Sequence, residues 1–327
     1  MRFIVYGLGA IGGTIAAALA LSAQNVAGIA RGGMLEAIRE RGLLFRTPNG
    51  ATTVRFPCHA DPAEIAFTAD DVILLTMKTQ DTEAALLRLR EVGVSDQPIL
   101  CVQNGVANER MALRLFPNVY GVMVMMPSDY LTPGEVNALS VPRHGILDIG
   151  RYPEGSDAFA ADIAVALERA NIAVFVKPDA MASKYGKLLL NLRNIIEATL
   201  GVDTDSGPFY RLVRVEGESV YAAAGIAWRD VGSADPRRKQ LMQERAVAGL
   251  ARAGGSSTQS LARGSGTIET DYLNGEIVLL GRLHSVPTPA NAWFCALAQR
   301  MVREKLKPGA ISAEEMAAGL RQAADGN

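Results

Sequence analysis

The sequence is too poor in cysteine for a disulfide framework. Its 327 residues hold three, Cys58, Cys101 and Cys295, far apart and odd in number. That spacing excludes a CxxC redox or zinc motif and fits a reducing compartment. Histidine is equally scarce: His59, His144 and His284 have no histidine partner three or four residues away, so a helical HExxH site is absent and no metal is expected. Neither sign of charge dominates. With 33 Lys+Arg against 34 Asp+Glu and a formal net charge of −1, long-range attraction to nucleic acid or to an anionic membrane face is not expected. No apolar run reaches the roughly 18 residues that a membrane span requires. Met1 is followed at once by a strand-like Phe3-Ile4-Val5-Tyr6 rather than by a basic region leading a long apolar segment, so neither a signal peptide nor an anchor is expected and the cytoplasm is the expected address.

What is present is ordinary for an enzyme-sized chain, 49% hydrophobic and 20% charged residues, at a length that implies two domains. Apolar runs of strand length recur at 3–6, 26–30, 72–77, 99–103, 119–124, 146–149 and 173–176. Between several of them apolar residues follow helical spacing: Ile11, Ile15, Ala18 and Leu19, then Leu35 and Ile38, then Ala84, Leu86 and Leu87. Strands alternating with helices predict a mostly parallel, doubly wound sheet. After Pro178 the β-branched runs thin out, and amphipathic helices are expected near 179–200, 208–224, 236–250, 267–284, 289–306 and 312–323, with a break at 253–257. The expected fold is an α/β Rossmann-type doubly wound domain over 1–178 and an all-α domain over 179–327.

Gly7-Leu8-Gly9-Ala10-Ile11-Gly12 is G-x-G-x-x-G between the first strand and the first helix. There Gly7 allows the tight turn, Gly9 lets a pyrophosphate approach the backbone, and Gly12 lets helix and strand pack closely. The helix N-terminus adds oriented N–H donors. At the end of the second strand, where a carboxylate holds a ribose 2′-hydroxyl and an arginine accommodates a 2′-phosphate, stands Arg31. No acidic residue occurs between Gly7 and Gly33, so NADP(H) is the expected cofactor.

With these motifs the chain resembles the ketopantoate reductase (2-dehydropantoate 2-reductase) family, from Met1 to about Lys307. Lys78-Thr79 closes one core strand and Gln103-Asn104-Gly105-Val106 follows another. The resemblance implies that Lys78 binds cofactor, that Asn104 serves cofactor and substrate, and that Met125-Met126 pass the nicotinamide end. In the helical half, Lys187-Leu188-Leu189-Leu190-Asn191 is similar to the family's K-L-x-x-N. Four residues at about 100° each place lysine and asparagine about 40° apart on one helix face. Family members carry a second asparagine where Ile195 stands; Asn194, about 20° from Lys187 on a continuous helix, is the expected substitute. Lys184 competes with Lys187 but lacks an asparagine four residues on.

Ile268-Glu269-Thr270-Asp271-Tyr272-Leu273-Asn274-Gly275 resembles the family's T-E-I-D-x-x-N-G with threonine and isoleucine exchanged, and Ser256-Ser257 precede it as a family serine pair. Thr258-Gln259-Ser260-Leu261 lacks the methionine and aspartate that usually follow. The resemblance implies that Ser257 binds the substrate carboxylate and that Glu269 reaches the cofactor. A carboxylate at a helix start also complements the helix dipole by roughly 0.3–1 kcal/mol. Gly275 with Ile268, Tyr272 and Leu279 reads as a packing stripe.

Lysine suits the implied chemistry. Hydride addition to a 2-oxo acid builds negative charge on the carbonyl oxygen, which an ammonium stabilises before donating a proton. The expected activity is NADPH-dependent reduction of a small 2-oxo acid, ketopantoate to pantoate in pantothenate biosynthesis first, with Lys187 as general acid and Asn104, Asn191, Asn194 and Ser257 on the substrate. Two alternatives stand beside it: a paralogue acting on another 2-oxo acid, and an NADP(H)-sensing binding protein. The apolar segment Trp293-Phe294-Cys295-Ala296-Leu297 suits packing within the domain or across a homodimer.

Overall fold

The computed structural model describes residues 1–247, 254–264 and 266–325. The expected helix end at 248–250 and the start of the break at 253 lie outside the described residues. Each of the seven apolar runs forms a strand of one eight-stranded sheet. Across the sheet the order is Ala173–Val176, Ile146–Arg151, Val119–Met125, Ile99–Cys101, Asp71–Leu75, Arg2–Tyr6, Val26–Ile29 and Cys58–His59. Neighbours run parallel except Ile146–Arg151 against Val119–Met125.

The near-continuous hydrophobicity of the central strands follows from burial on both faces. Phe3 and Val5 enter one apolar cluster and Ile4 the other, and Val72 and Leu74 are separated in the same way from Ile73 and Leu75. Successive side chains on a strand point to opposite faces, so one short run supplies two cores. Each such side chain contributes about 1.5–3 kcal/mol of burial. From Arg2–Tyr6 the chain crosses to Val26–Ile29 on one side and later returns as Asp71–Leu75 on the other. The carboxyl end of Arg2–Tyr6 is therefore a topological switch point, the place where open α/β sheets bind ligands.

A second, four-stranded sheet of Gly50–Val54, Leu43–Thr47, Glu135–Ala138 and Ser128–Asp129 was not expected, because Glu135-Val136-Asn137-Ala138 has no β-branched run. Its Val136 packs tightly on the first helix: a Cβ at Gly13 would lie 2.6 Å from Val136 Cγ1.

The described residues form two compact units: 1–184 with 233–247, and 185–232 with 254–264 and 266–325. Relative to a single boundary after 178, the division falls inside the helix Ala180–Asn191, and the chain after 232 returns to the sheet unit. The expected helix 236–250 accordingly stops at Leu241, and Met242–Glu244 pairs antiparallel with Ser140–Pro142. Arg237 fastens this return. It reaches the buried Asp148 at 2.6 Å and Asp235 at 2.7 Å, and its guanidinium lies 4.8 Å from the Phe175 ring centre.

In the helical unit Gly207–Ala224, Pro289–Arg303 and Ala313–Asp325 form at the expected places. The helix expected over 179–200 is interrupted, as Ala180–Asn191 and Arg193–Leu200. At the interruption Asn274 Nδ2 donates to the Leu192 carbonyl at 3.4 Å, a side chain competing for the backbone ladder. The expected 267–284 helix is a 3₁₀ turn, Glu269–Tyr272, followed by Asn274–Leu283. Leu279 is 49% exposed, so it leaves the predicted stripe, whereas Ile268 is buried with Leu273, Asn274, Ile277, Val278 and Gly281. Among the described residues no helix is long and apolar enough to cross a membrane, and no group of three or more His, Cys, Asp or Glu could hold a metal ion.

Candidate cofactor and substrate site

The glycine turn leaves the switch point with the Gly7 N–H donating to the Ile29 carbonyl at 3.0 Å. Gly7 has φ +105°, and a Cβ there would meet the Met77 backbone nitrogen at 2.7 Å. At Gly12 a Cβ would lie 2.1 Å from the Gly7 carbonyl oxygen and 2.4 Å from Thr76 Oγ1, which itself donates to the Gly7 carbonyl at 2.7 Å. Gly9 differs: a Cβ there would meet nothing within 4 Å. The helix it caps, Ala10–Leu21, has no side-chain cap and no acidic residue in its first turn. Unfilled N–H donors, the positive dipole end and open space above Gly9 together fit a pyrophosphate.

Arg31, Lys78 and Asn104 follow strands that are successive neighbours with Arg2–Tyr6: Val26–Ile29, Asp71–Leu75 and Ile99–Cys101. Arg31 caps the helix Gly32–Arg41, and its side chain is 79% exposed, with Nη2 3.4 Å from Asp81 Oδ1. Lys78 is half-buried at the start of the 3₁₀ turn Thr79–Asp81. Asn104 is half-buried, and its buried Oδ1 has no hydrogen-bond partner. Met125 and Met126 are buried.

Beneath these strand ends lies a polar network that sequence reasoning missed. Gln103 Nε2 donates to Thr82 Oγ1 at 2.8 Å, Thr82 Oγ1 to Asn108 Oδ1 at 2.8 Å, and Asn108 Nδ2 to the Asn104 carbonyl at 3.1 Å and to Thr79 Oγ1 at 3.3 Å. The network ties the turn bearing Lys78 to the loop bearing Asn104. Lys184, the competitor of Lys187 in the sequence, is part of the same foundation. It is 2% exposed, ion-pairs with the fully buried Glu109, and donates to the Cys101 and Gln103 carbonyls at 3.2 and 2.9 Å. Burial pushes the Glu109 carboxyl above its ordinary range against the pull of the Lys184 ammonium. Apart from the position of Lys184 on an otherwise apolar helix start, nothing in the sequence pointed to this pair.

In the helical unit Lys187 and Asn191 share the helix Ala180–Asn191, with Lys187 half-buried and Asn191 buried. Leu188 and Leu189 beside them are fully buried. Asn191 Nδ2 is buried without a hydrogen-bond partner. Asn194 lies beyond the interruption, on Arg193–Leu200, so the continuous-helix angle to Lys187 does not apply to it. Its Nδ2 donates to Ser256 Oγ at 3.4 Å, placing it with the first serine of the pair. Ser257 is buried at the start of Ser256–Ala262, whose leading Gly255 N–H donates to Glu197 Oε1 at 2.6 Å. Glu269 is buried in the turn Glu269–Tyr272. Asn274 links the following helix to Leu192, next to Asn191. Ile195 and Leu261 are both buried.

Comparison with known proteins covers both units. The family described as Ketopantoate reductase PanE/ApbA matches residues 3–154, and its C-terminal counterpart matches residues 181–302. A 2-dehydropantoate 2-reductase of Caulobacter vibrioides is 30% identical over 306 residues, covering 90% of this chain and 96% of that protein. One from Pyrococcus horikoshii is 28% identical over 305 residues, covering 91% and 96%. Among solved structures, a PanE/ApbA family ketopantoate reductase from Ralstonia eutropha superposes with a TM-score of 0.76 at 27% identity, covering 93% of this chain and 99% of that one. D-mandelate dehydrogenase with NADH and anilino(oxo)acetate shares the fold, with a TM-score of 0.77 at 21% identity and the same coverage of 93% and 99%. With a relative at this identity matched over nearly its whole length, and family matches in both the sheet half and the helical half, the chain belongs to the ketopantoate reductase PanE/ApbA family.

Proposed function

We propose that this protein is a cytoplasmic NADPH-dependent reductase that converts a small 2-oxo acid to the 2-hydroxy acid, ketopantoate to pantoate first. The observation that carries the reading is the family match across both units, supported by a glycine turn whose one open glycine position lies where a pyrophosphate would approach. The residues at Gly7, Leu8, Gly9, Ala10, Ile11 and Gly12, with Arg31, Lys78, Asn104 and Glu269, are assigned to the cofactor. Asn104, Asn191, Asn194 and Ser257 are assigned to the substrate. The buried, unpartnered Asn104 Oδ1 and Asn191 Nδ2 support that assignment, because buried polar atoms in native proteins nearly always find a partner. Free and largely buried cysteines suit a reducing cytoplasm.

When bound, the nicotinamide cofactor would supply the hydride that the carbonyl carbon takes up. The rest of the chemistry falls to the chain. Lys187 Nζ carries positive charge to the oxygen on which negative charge builds, then gives that oxygen a proton. Asn191, one helical turn on, orients the same substrate end. Lys187→Ala is expected to cost about 10²–10⁴ in turnover while NADPH still binds, measured by NADPH absorbance and by fluorescence titration; unchanged turnover sinks the assignment.

A second reading keeps the cofactor and changes the acid. Ile195 and Leu261 place buried hydrocarbon where the family resemblance calls for polar groups, which favours a substrate with a more apolar substituent. A panel of 2-oxo acids of graded polarity separates the two, since a site lacking hydrogen-bonding partners discriminates hydroxylated acids by several kcal/mol less.

A further inference from the structure

Residues 7–33 include no carboxylate to face the adenosine ribose, yet the fold supplies one from a different strand end. Arg31 follows Val26–Ile29 and Asp81 follows Asp71–Leu75, and these strands flank Arg2–Tyr6 on its two sides. Their side chains meet at 3.4 Å between Arg31 Nη2 and Asp81 Oδ1, with 79% and 42% of the side chains exposed. This pair stands open to a ligand. Asp81 precedes the helix Thr82–Glu91 but makes no side-chain cap hydrogen bond to it, so its carboxylate is not committed to the helix. Arg88 on that helix is held by Asp61 at 2.8 Å and by Glu91 at 3.0 Å.

We propose that Asp81 is a specificity-determining residue at the ribose 2′ position, which lets this protein accept NADH alongside NADPH. The inference rests on the assignment of Arg31 to that position. A bare ribose offers a 2′-hydroxyl that donates to the Asp81 carboxylate, while Arg31 stays paired with Asp81. A 2′-phosphate, carrying about −1.5 to −2 charges, is drawn by the Arg31 guanidinium and repelled by Asp81, so that Arg31 must exchange one anion for the other. The carboxylate thereby narrows the advantage that arginine alone would give NADPH.

The experiment titrates the full-length wild type, D81N and R31A with NADPH and NADH, following cofactor fluorescence, with thermal unfolding to show that each variant folds. Both side chains are exposed, so neither substitution disturbs a core. The wild type is expected to bind the two cofactors with affinities within about a hundredfold, and D81N to raise the NADPH:NADH affinity ratio by more than about twofold and up to about fivefold, the upper range for one exposed charge. A ratio unchanged within about twofold in D81N overturns the role of Asp81, whatever R31A does. R31A tests the underlying assignment separately: an equal loss for both cofactors removes Arg31 from the 2′ position, while the D81N ratio still decides Asp81.

Discussion

At the scale of single residues, the three glycines of the turn have separable duties. Gly12→Ala forces a methyl group to 2.1 Å from the Gly7 carbonyl oxygen, an overpacking against backbone that costs about 1–3 kcal/mol or more and should appear as a lowered Tm. Gly9→Ala meets open space and should change stability by less than about 0.5 kcal/mol. Its methyl group occupies the approach of the pyrophosphate, so cofactor affinity should fall at least about tenfold, read by fluorescence titration, since 1.4 kcal/mol suffices for that factor. The glycine motif was legible in the sequence because its spacing sits between a strand and a helix. Asp81 and Glu109 were not: Asp81 meets Arg31 from the far side of Arg2–Tyr6, Glu109 meets Lys184 of a helix 75 residues on, and neither pairing exists until the chain has folded. Lys184 and Lys187 look alike in sequence. Burial tells them apart, one holding strand-end carbonyls and a buried carboxylate, the other half-buried on the next turn.

At the scale of elements, two strands and two helices are locked by carboxylates. Arg2 and Asp71 are register partners at the start of adjacent strands, joined at 2.6 and 2.7 Å, with the Thr68 N–H donating to Asp71 at 2.7 Å. Burial alone raises the Asp71 carboxyl, but the hydrogen bonds from Arg2 and Thr68 outweigh it and hold the group below its ordinary range. A carboxylate depressed on folding contributes stability above its unfolded value, near pH 4, and loses it as pH falls through the lower folded value. The wild type should therefore lose stability in acid more steeply than Asp71→Asn, which starts less stable at neutral pH; parallel acid profiles for the two would remove this assignment.

In the helical unit Glu216, on Gly207–Ala224, accepts from the Ala290 and Asn291 N–H groups at 2.8 and 2.9 Å and so caps Pro289–Arg303 from a neighbouring helix. Asn291 extends the network to Asn274 at 3.0 Å. Glu216→Ala leaves these two donors unmet and should cost about 2–6 kcal/mol, at roughly 1–3 kcal/mol for each buried unsatisfied group, measured by urea unfolding. Helix existence was legible from periodicity after Pro178. The interruption at Leu192 and the 3₁₀ start at Glu269 were not, because an asparagine from another helix and the packing around it decide them.

At the scale of the whole molecule, the sequence shows where the hydrophobic pattern changes but not that the chain comes back. The return over residues 233–247 carries no strong strand signal, and its partner Ser140–Pro142 is only three residues long. Arg237 answers for the attachment. Removing it as Arg237→Ala leaves the buried Asp148 without its guanidinium, and breaking one partner of such a pair costs about 3–5 kcal/mol. A chain of residues 1–178 alone should show the same defect, and thermal unfolding should place it below a chain in which 233–247 is joined after Lys184 by a short linker.

The interleaving also bears on how the polypeptide emerges from the ribosome. The segment that completes the sheet unit is synthesised only after the 48 residues Tyr185–Gly232 of the helical unit. Vectorial folding therefore cannot finish the first unit before the second has begun, and until then Asp148 waits on a nascent chain for a cation that has not yet been translated. A stalled chain ending near residue 230 should be more open to protease than one extended past 247 and clear of the exit tunnel.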